Sequence, residues 1–184
     1  MPTLSNYIEA FQSLHTAKVK GVKAPHKAVL LLAVIDLVEE KMIGTPRIRL
    51  TDALNNRFNE IWMRYIGHSA IFTADICKPF YHMQHEPFWN LVEKQSTMMT
   101  AEPVVPSRER KDLPKGGYTI KAMREGYEYA EIDEALFALL QNADNRALLR
   151  VLLINTYLTN QPTKTMLRIS ALTSVILTTM MAVA

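Results

Sequence analysis

The sequence predicts an α+β domain, mainly helical, with a small antiparallel sheet. Three observations lead there. Ala28 to Val38 reads Ala-Val-Leu-Leu-Leu-Ala-Val-Ile-Asp-Leu-Val; it is too long for a buried strand and apolar on nearly every side, the mark of a central buried helix. Leu54, Phe58, Ile61, Trp62 and Tyr65 recur at helical spacing, as do Leu148, Leu149, Leu152, Leu153 and Tyr157. Lys78 to Trp89, by contrast, is broken by Pro79 and Pro87 and crowded with Phe80, Tyr81, Phe88 and Trp89. Aromatics suit a pleated, half-buried surface, and each proline disfavours helix for the residue before it. The stretch therefore reads as two extended pieces about a polar corner, a hairpin over 79–92.

In chain order, Leu4, Ile8, Phe11 and Leu14 form one helix face, with Asn6 and Glu9 as a candidate capping pair. Ala17 to Lys27 carries Gly21, Pro25 and several lysines and reads as a connector. The buried helix follows, with His26 and Lys27 in its first turn and Gly44 as its stop. Free N–H groups in such a first turn attract anions. Arg47 to Leu50 alternates as a short strand, Thr51 is an N-cap, and residues 70–76 read as extended. Gln95 to Gly117 is a long connector with Pro103, Pro106 and Pro114, and connectors of that length tend to carry function or disorder. Ile132 to Leu140 and the segment around Leu148 to Tyr157 close a domain spanning 1–162. Residues 163–184 form an atypical tail whose last sixteen residues, Ile169 to Ala184, hold no charge. That run is shorter than the roughly 20 residues that span a bilayer and is thinned by Ser and Thr, so a membrane partner is not expected.

The 184 residues suit one domain or a domain with an appendage. Lys and Arg number 21 against 18 Asp and Glu, a formal +3, too mild to imply nucleic acid without regard to distribution. The distribution is uneven. Lys18, Lys20, Lys23, His26 and Lys27 form one basic run, and Arg108, Arg110, Lys111 and Lys115 another. The single cysteine, Cys77, excludes an internal disulfide and a Cys-x-x-Cys metal ribbon. The N-terminus lacks the basic-then-apolar layout of a signal peptide, so a cytoplasmic setting is expected. Phosphate loops, dinucleotide fingerprints and the nucleophile elbow of serine hydrolases are all missing from the sequence.

The chemistry concentrates in Lys78 to Trp89, where Lys78, His82, Gln84 and His85 lie among proline and aromatic faces. Cations beside apolar rings suit an anionic ligand with a soft, poorly hydrated part. A different reading makes His82, His85 and Glu86 metal ligands of a self-contained metal-dependent nucleic-acid hydrolase, although a third convergent ligand is not evident. Asp36, Glu39 and Lys41 resemble the acidic-and-lysine set of restriction nucleases, but they end a helix rather than lie on adjacent strands and read as a solvated helix end.

Three stretches in order, Ala24 to Leu37, Lys78 to Trp89 and Glu128 to Leu140 with the helix after it, resemble the DNA sulfur-binding domain of phosphorothioate-dependent restriction endonucleases. The most specific is Pro-Phe-x-x-Met-Gln-x-x-Pro-Phe-Trp, residues 79–89. The resemblance covers about residues 1–160. It implies recognition of duplex DNA in which sulfur replaces one non-bridging phosphate oxygen, with no cofactor, in a domain that precedes an HNH nuclease. It places Pro79 against the sulfur, Lys78 beside it, Phe80 next in the motif and His82 in the cavity wall, with His26 and Lys27 in the segment supplying basic contacts nearby. On charge alone, Lys111 and Lys115 are candidate groove or phosphate contacts. The physical logic is that sulfur accepts hydrogen bonds poorly and loses little in an apolar cavity, whereas a phosphate oxygen would lose its water there. The chain departs from the family at its end. No histidine follows His85, so an HNH centre is not expected, and the tail suggests a truncated or frameshifted member.

Overall fold

The computed structural model describes residues 2–94 and 117–159. Within them the architecture is α+β and mainly helical, packed around one helix. Helix α1 (Leu4–Gln12) starts at Thr3, whose backbone N–H donates to Asn6 Oδ1 at 2.8 Å. The capping pair is therefore Thr3 with Asn6, one register earlier than Asn6 with Glu9. Ala17 to Lys27 is more than a connector. Strands β1 (Lys18–Val19) and β2 (Val22–Lys23) pair antiparallel about Lys20 and Gly21. Both turn residues have positive φ, 51° and 79°, which matches the right-handed twist of a two-residue hairpin.

Helix α2 (His26–Glu39) is the buried segment the sequence predicts. Ala28 to Ile35, Leu37 and Val38 all lie in the core. It ends before Gly44. Lys41 takes the left-handed conformation at φ 59°, and the N–H groups of Lys41 and Met42 donate back to the Val38 and Leu37 carbonyls at 3.1 and 2.9 Å. That pair of bonds is a Schellman closure, usually built on glycine; here a lysine holds it. The end of α2 is also not simply solvated. Asp36 binds Arg150 at 2.8 Å and Arg57 at 3.5 Å, Glu39 binds Arg146 and Arg150, and Glu40 binds Arg57 at 2.8 Å. These arginines come from α3 (Asp52–Tyr65) and α7 (Ala143–Leu153), so the network fastens α2 to both neighbours.

Thr51 caps α3 as expected, its Oγ1 accepting from Leu54 N–H at 3.2 Å. Residues 70–76 run without regular secondary structure. The hairpin expected over 79–92 is only half present. Its first arm is helix α4 (Cys77–His82), followed by a 3-10 turn at Met83–His85. Pro79 sits in the first turn of α4, where its missing N–H has no intrahelical partner to lose. Asp75 Oδ1 accepts from Cys77 N–H at 2.9 Å and helps start the helix. The second arm is strand β4 (Trp89–Glu93), and its partner comes from elsewhere.

That partner is β5 (Tyr127–Ile132), which follows α5 (Ile120–Gly126). It lies at the centre of an antiparallel sheet ordered β3-β5-β4, with β3 at Arg47–Ile48. Trp89 faces Ile132 and Leu91 faces Ala130 in the register. Helices α6 (Glu134–Leu139) and α7 complete the domain, and α7 runs into a wider π turn at Ile154–Leu158. Tyr157 of that turn donates to the Gln12 carbonyl at 2.9 Å, tying the end of the described chain to α1. No helix among the described residues is long and apolar enough to cross a membrane.

The left-handed Lys41 makes a stability prediction. An L-residue there carries a steric cost of roughly 1–2 kcal/mol, partly offset because glycine loses more backbone freedom on folding. Lys41→Gly should raise the unfolding free energy by about 0.5–1 kcal/mol in urea titrations at unchanged m-value.

Candidate functional site

The site is built where α4 meets the N-terminal end of α2. α2 begins at Pro25 with no side-chain cap and no acidic residue in its first turn. His26 is the first helical residue. Its Nε2 donates to the Thr73 carbonyl at 2.8 Å, so this nitrogen carries the proton. The ring rests on Trp62 and Phe72, at centroid distances of 4.7 and 5.7 Å. Burial pushes the His26 imidazole below its usual pKa, more than the Thr73 bond and nearby Asp75 push it up. At neutral pH, His26 therefore serves as a neutral hydrogen-bonding group.

Lys27 points inward. It is 6% exposed, and its ammonium meets Glu86, itself 2% exposed, at 2.5 Å. Glu86 Oε1 also accepts from His15 N–H at 2.9 Å, and its Oε2 lies 3.3 Å from His15 Nδ1. Burial lowers the Lys27 pKa, while the bond and charge of Glu86 oppose that. The pair is neutral as a unit and locks the 3-10 turn to the start of α2. Lys27 is thus a positioning residue beneath the site, not a surface cation reaching for phosphate. Glu86, a candidate metal ligand by sequence, is committed to this pair.

Helix α4 divides by face. Phe80 is buried and meets Trp89 edge-on at 5.6 Å, and Tyr81 is buried beside Tyr118 and Tyr127. Pro79, placed against the sulfur by the resemblance, is buried as well, so its ring underlies the site instead of standing open to a ligand. The other face carries an accessible cation and two imidazoles. Lys78 is 60% exposed, with Asp75 at 3.6 Å. His82 is half-buried, its Nε2 3.0 Å from the Tyr118 hydroxyl. The exposed His85 ring stacks on His82 at 5.9 Å and 20°. Burial is the main cause that lowers the His82 pKa; the charges of His85, Lys27 and Lys78 add to it.

The structure thus brings His26, Lys27, Lys78, Pro79, Phe80 and His82 into one neighbourhood from two distant segments. Lys111 and Lys115 lie outside the described residues. His85 joins the cluster from the sequence motif. Tyr118 had no local signal beyond being an aromatic after two glycines; only the tertiary fold sets it against His82.

Chemically, the face offers cations, imidazoles and a phenol. Among the described residues no group of three His, Cys, Asp or Glu side chains could hold a metal ion. Cys77 is buried, and burial pushes its thiol up to about 11, far from a reactive thiolate.

Two predictions follow from this geometry. Removing one partner of the buried pair leaves the other charge stranded, a loss of about 3–5 kcal/mol. Glu86→Gln should destabilise the chain by that order in denaturant titrations, whereas Lys27→Met combined with Glu86→Leu should recover most of the loss. His26 and His82 set an acid window. Burial holds both folded pKa values below the unfolded value of about 6.5, so the unfolded chain binds more protons there. Stability should therefore hold above pH 6.5 and decline as pH falls through the folded values. His82→Gln should remove part of that decline, as read from urea midpoints across the series. In comparisons with known proteins, no family model and no curated protein matches this chain.

Proposed function

We propose that the chain binds the sugar–phosphate backbone of duplex DNA through the α2–α4 face, and that its preferred contact is a phosphorothioate. The observation that carries the reading is the meeting of Lys78, His82 and His85 with the uncapped N-terminus of α2. Lys78 and His85 are exposed and His82 is partly so, and Asp75 lies 3.6 Å from Lys78. A phosphate group supplies the charge such a face lacks. Counterion release then gives sequence-independent affinity, and helix N–H groups add directed donors.

The preference for sulfur rests on the resemblance in the sequence and on the apolar surroundings of the cations. The half-buried His82 and Tyr118 rings border Lys78 and His85. A soft, weakly hydrated sulfur loses little against such rings, whereas an oxygen facing them loses water without a compensating bond. Lys27, buried below, holds the turn that carries His82 and His85 in place through Glu86.

The test compares two duplexes of identical sequence, one with a single phosphorothioate, across several salt concentrations. The sulfur duplex should bind more tightly, and log K should fall linearly with log salt. Lys78→Ala should weaken both duplexes and flatten the salt slope by about one phosphate contact. His82→Ala should narrow the gap between the duplexes. Equal binding of both would reduce the function to general backbone binding, and no binding to either would remove the nucleic-acid reading.

A further inference from the structure

Next to the cationic face, a groove of about 270 Å³ lies between α3, the segment before α4 and the start of α5. Its polar lining is Asn55, Asn59, Asp75 and Tyr118, over a floor that includes Cys77 and Ile120. Asn55 and Asn59 stand one helical turn apart and so share a face of α3. Among the described residues, neither side-chain amide has a hydrogen-bond partner. Asp75 is held in place, its Oδ1 accepting from Cys77 N–H at 2.9 Å and its Oδ2 3.6 Å from Lys78. Tyr118 joins the groove to the α4 face through its hydroxyl, 3.0 Å from His82 Nε2.

The groove differs from the face beside it in charge. Lys78 attracts a phosphate, with the His82 and His85 rings beside it as hydrogen-bonding groups, but Asp75 inside the groove repels one. Whatever enters is therefore a neutral, hydrogen-bonding part of a ligand whose anionic part lies on the cations. In a nucleic acid that part is a base edge. Phosphate contacts position and base contacts specify. An asparagine amide offers a donor and an acceptor, which match adenine N7 and N6 in the major groove, and a carboxylate accepts from the cytosine N4 amino group. Guanine O6 and thymine O4 would turn an acceptor towards Asp75. We propose that Asn55, Asn59 and Asp75 form a base-reading site that selects an amino-bearing base, adenine or cytosine, beside the bound phosphate. This inference rests on the nucleic-acid reading above.

The experiment uses the full chain and a set of duplexes, each with one phosphorothioate, in which every flanking base pair is changed in turn. The unaltered chain should prefer adenine or cytosine over guanine or thymine at one flanking position by roughly 5- to 150-fold, the equivalent of about 1–3 kcal/mol. Asn55→Ala and Asn59→Ala should flatten that preference and leave the salt dependence unchanged. Both substitutions place a good helix former within α3, so folding is not at risk, and a thermal unfolding scan checks it. A uniform loss across all duplexes with a shallower salt slope would make the asparagines backbone contacts and overturn the inference. So would an unchanged preference, or a preference for guanine or thymine. In these cases the unaltered chain still binds, and the reading of a DNA-binding face stands. If the unaltered chain binds no duplex, both fall together.

Discussion

The constraint on which this structure depends is that α2 is buried along almost its whole length while its charges run against its own dipole. A helix favours carboxylates at its N-terminus and cations at its C-terminus. α2 has neither an acid in its first turn nor a base in its last; it places His26 and Lys27 at the start and Asp36 and Glu39 at the end. Burial of its apolar residues is favourable enough to fix the helix in position, at about 25 cal/mol for each Å² of apolar surface removed from water. The charged ends must then be reconciled with that position by other parts of the chain.

The two ends are reconciled in different ways. At the C-terminal end, Arg57, Arg146 and Arg150 neutralise Asp36, Glu39 and Glu40, and they do so from α3 and α7. The electrostatic repair and the tertiary assembly are the same set of contacts. Their bonds to Glu39 hold its carboxyl below the usual range, chiefly through Arg150. At the N-terminal end, Glu86 neutralises Lys27 and burial keeps His26 neutral. The fold then brings α4 to this same end, with Lys78 and His82, and the 3-10 turn adds His85. Lys78 is thereby set near the end where the dipole is already positive.

What the sequence could show divides along local and long-range lines. α2 and α3 were legible because their signals are local: an apolar run in one case, spaced apolar residues after the Thr51 cap in the other. The first arm of the supposed hairpin was misread because the proline rule was given too much weight. In the first turn Pro79 forfeits no intrahelical hydrogen bond, and the bias it places on Lys78 is outweighed by the burial of Pro79, Phe80 and Tyr81 on the same helix. Tyr127-Glu-Tyr-Ala-Glu-Ile132 carries aromatics suited to a strand, but its acids break the apolar alternation that would mark β5. The Lys20-Gly21 hairpin turn was present as a two-residue step between Val19 and Val22 and was absorbed into a basic connector. The motif around Lys78 marked the right neighbourhood. It could not show that Lys27 would face Glu86, 59 residues away in sequence, or that Tyr118 would meet His82.

Lys27 illustrates why a residue's type and its role separate in such a site. By sequence it is one more lysine in a basic run. In the fold its charge is matched by a buried carboxylate, and its contribution is positional. A surface lysine could move to suit any anion, but a buried ion pair fixes the turn that presents His82 and His85. The two imidazoles gain a fixed spacing from a pair that contributes no net charge of its own. Such fixed spacing suits a ligand of defined shape better than a generic polyanion, and the duplex proposed above, with phosphates at regular intervals, meets that condition.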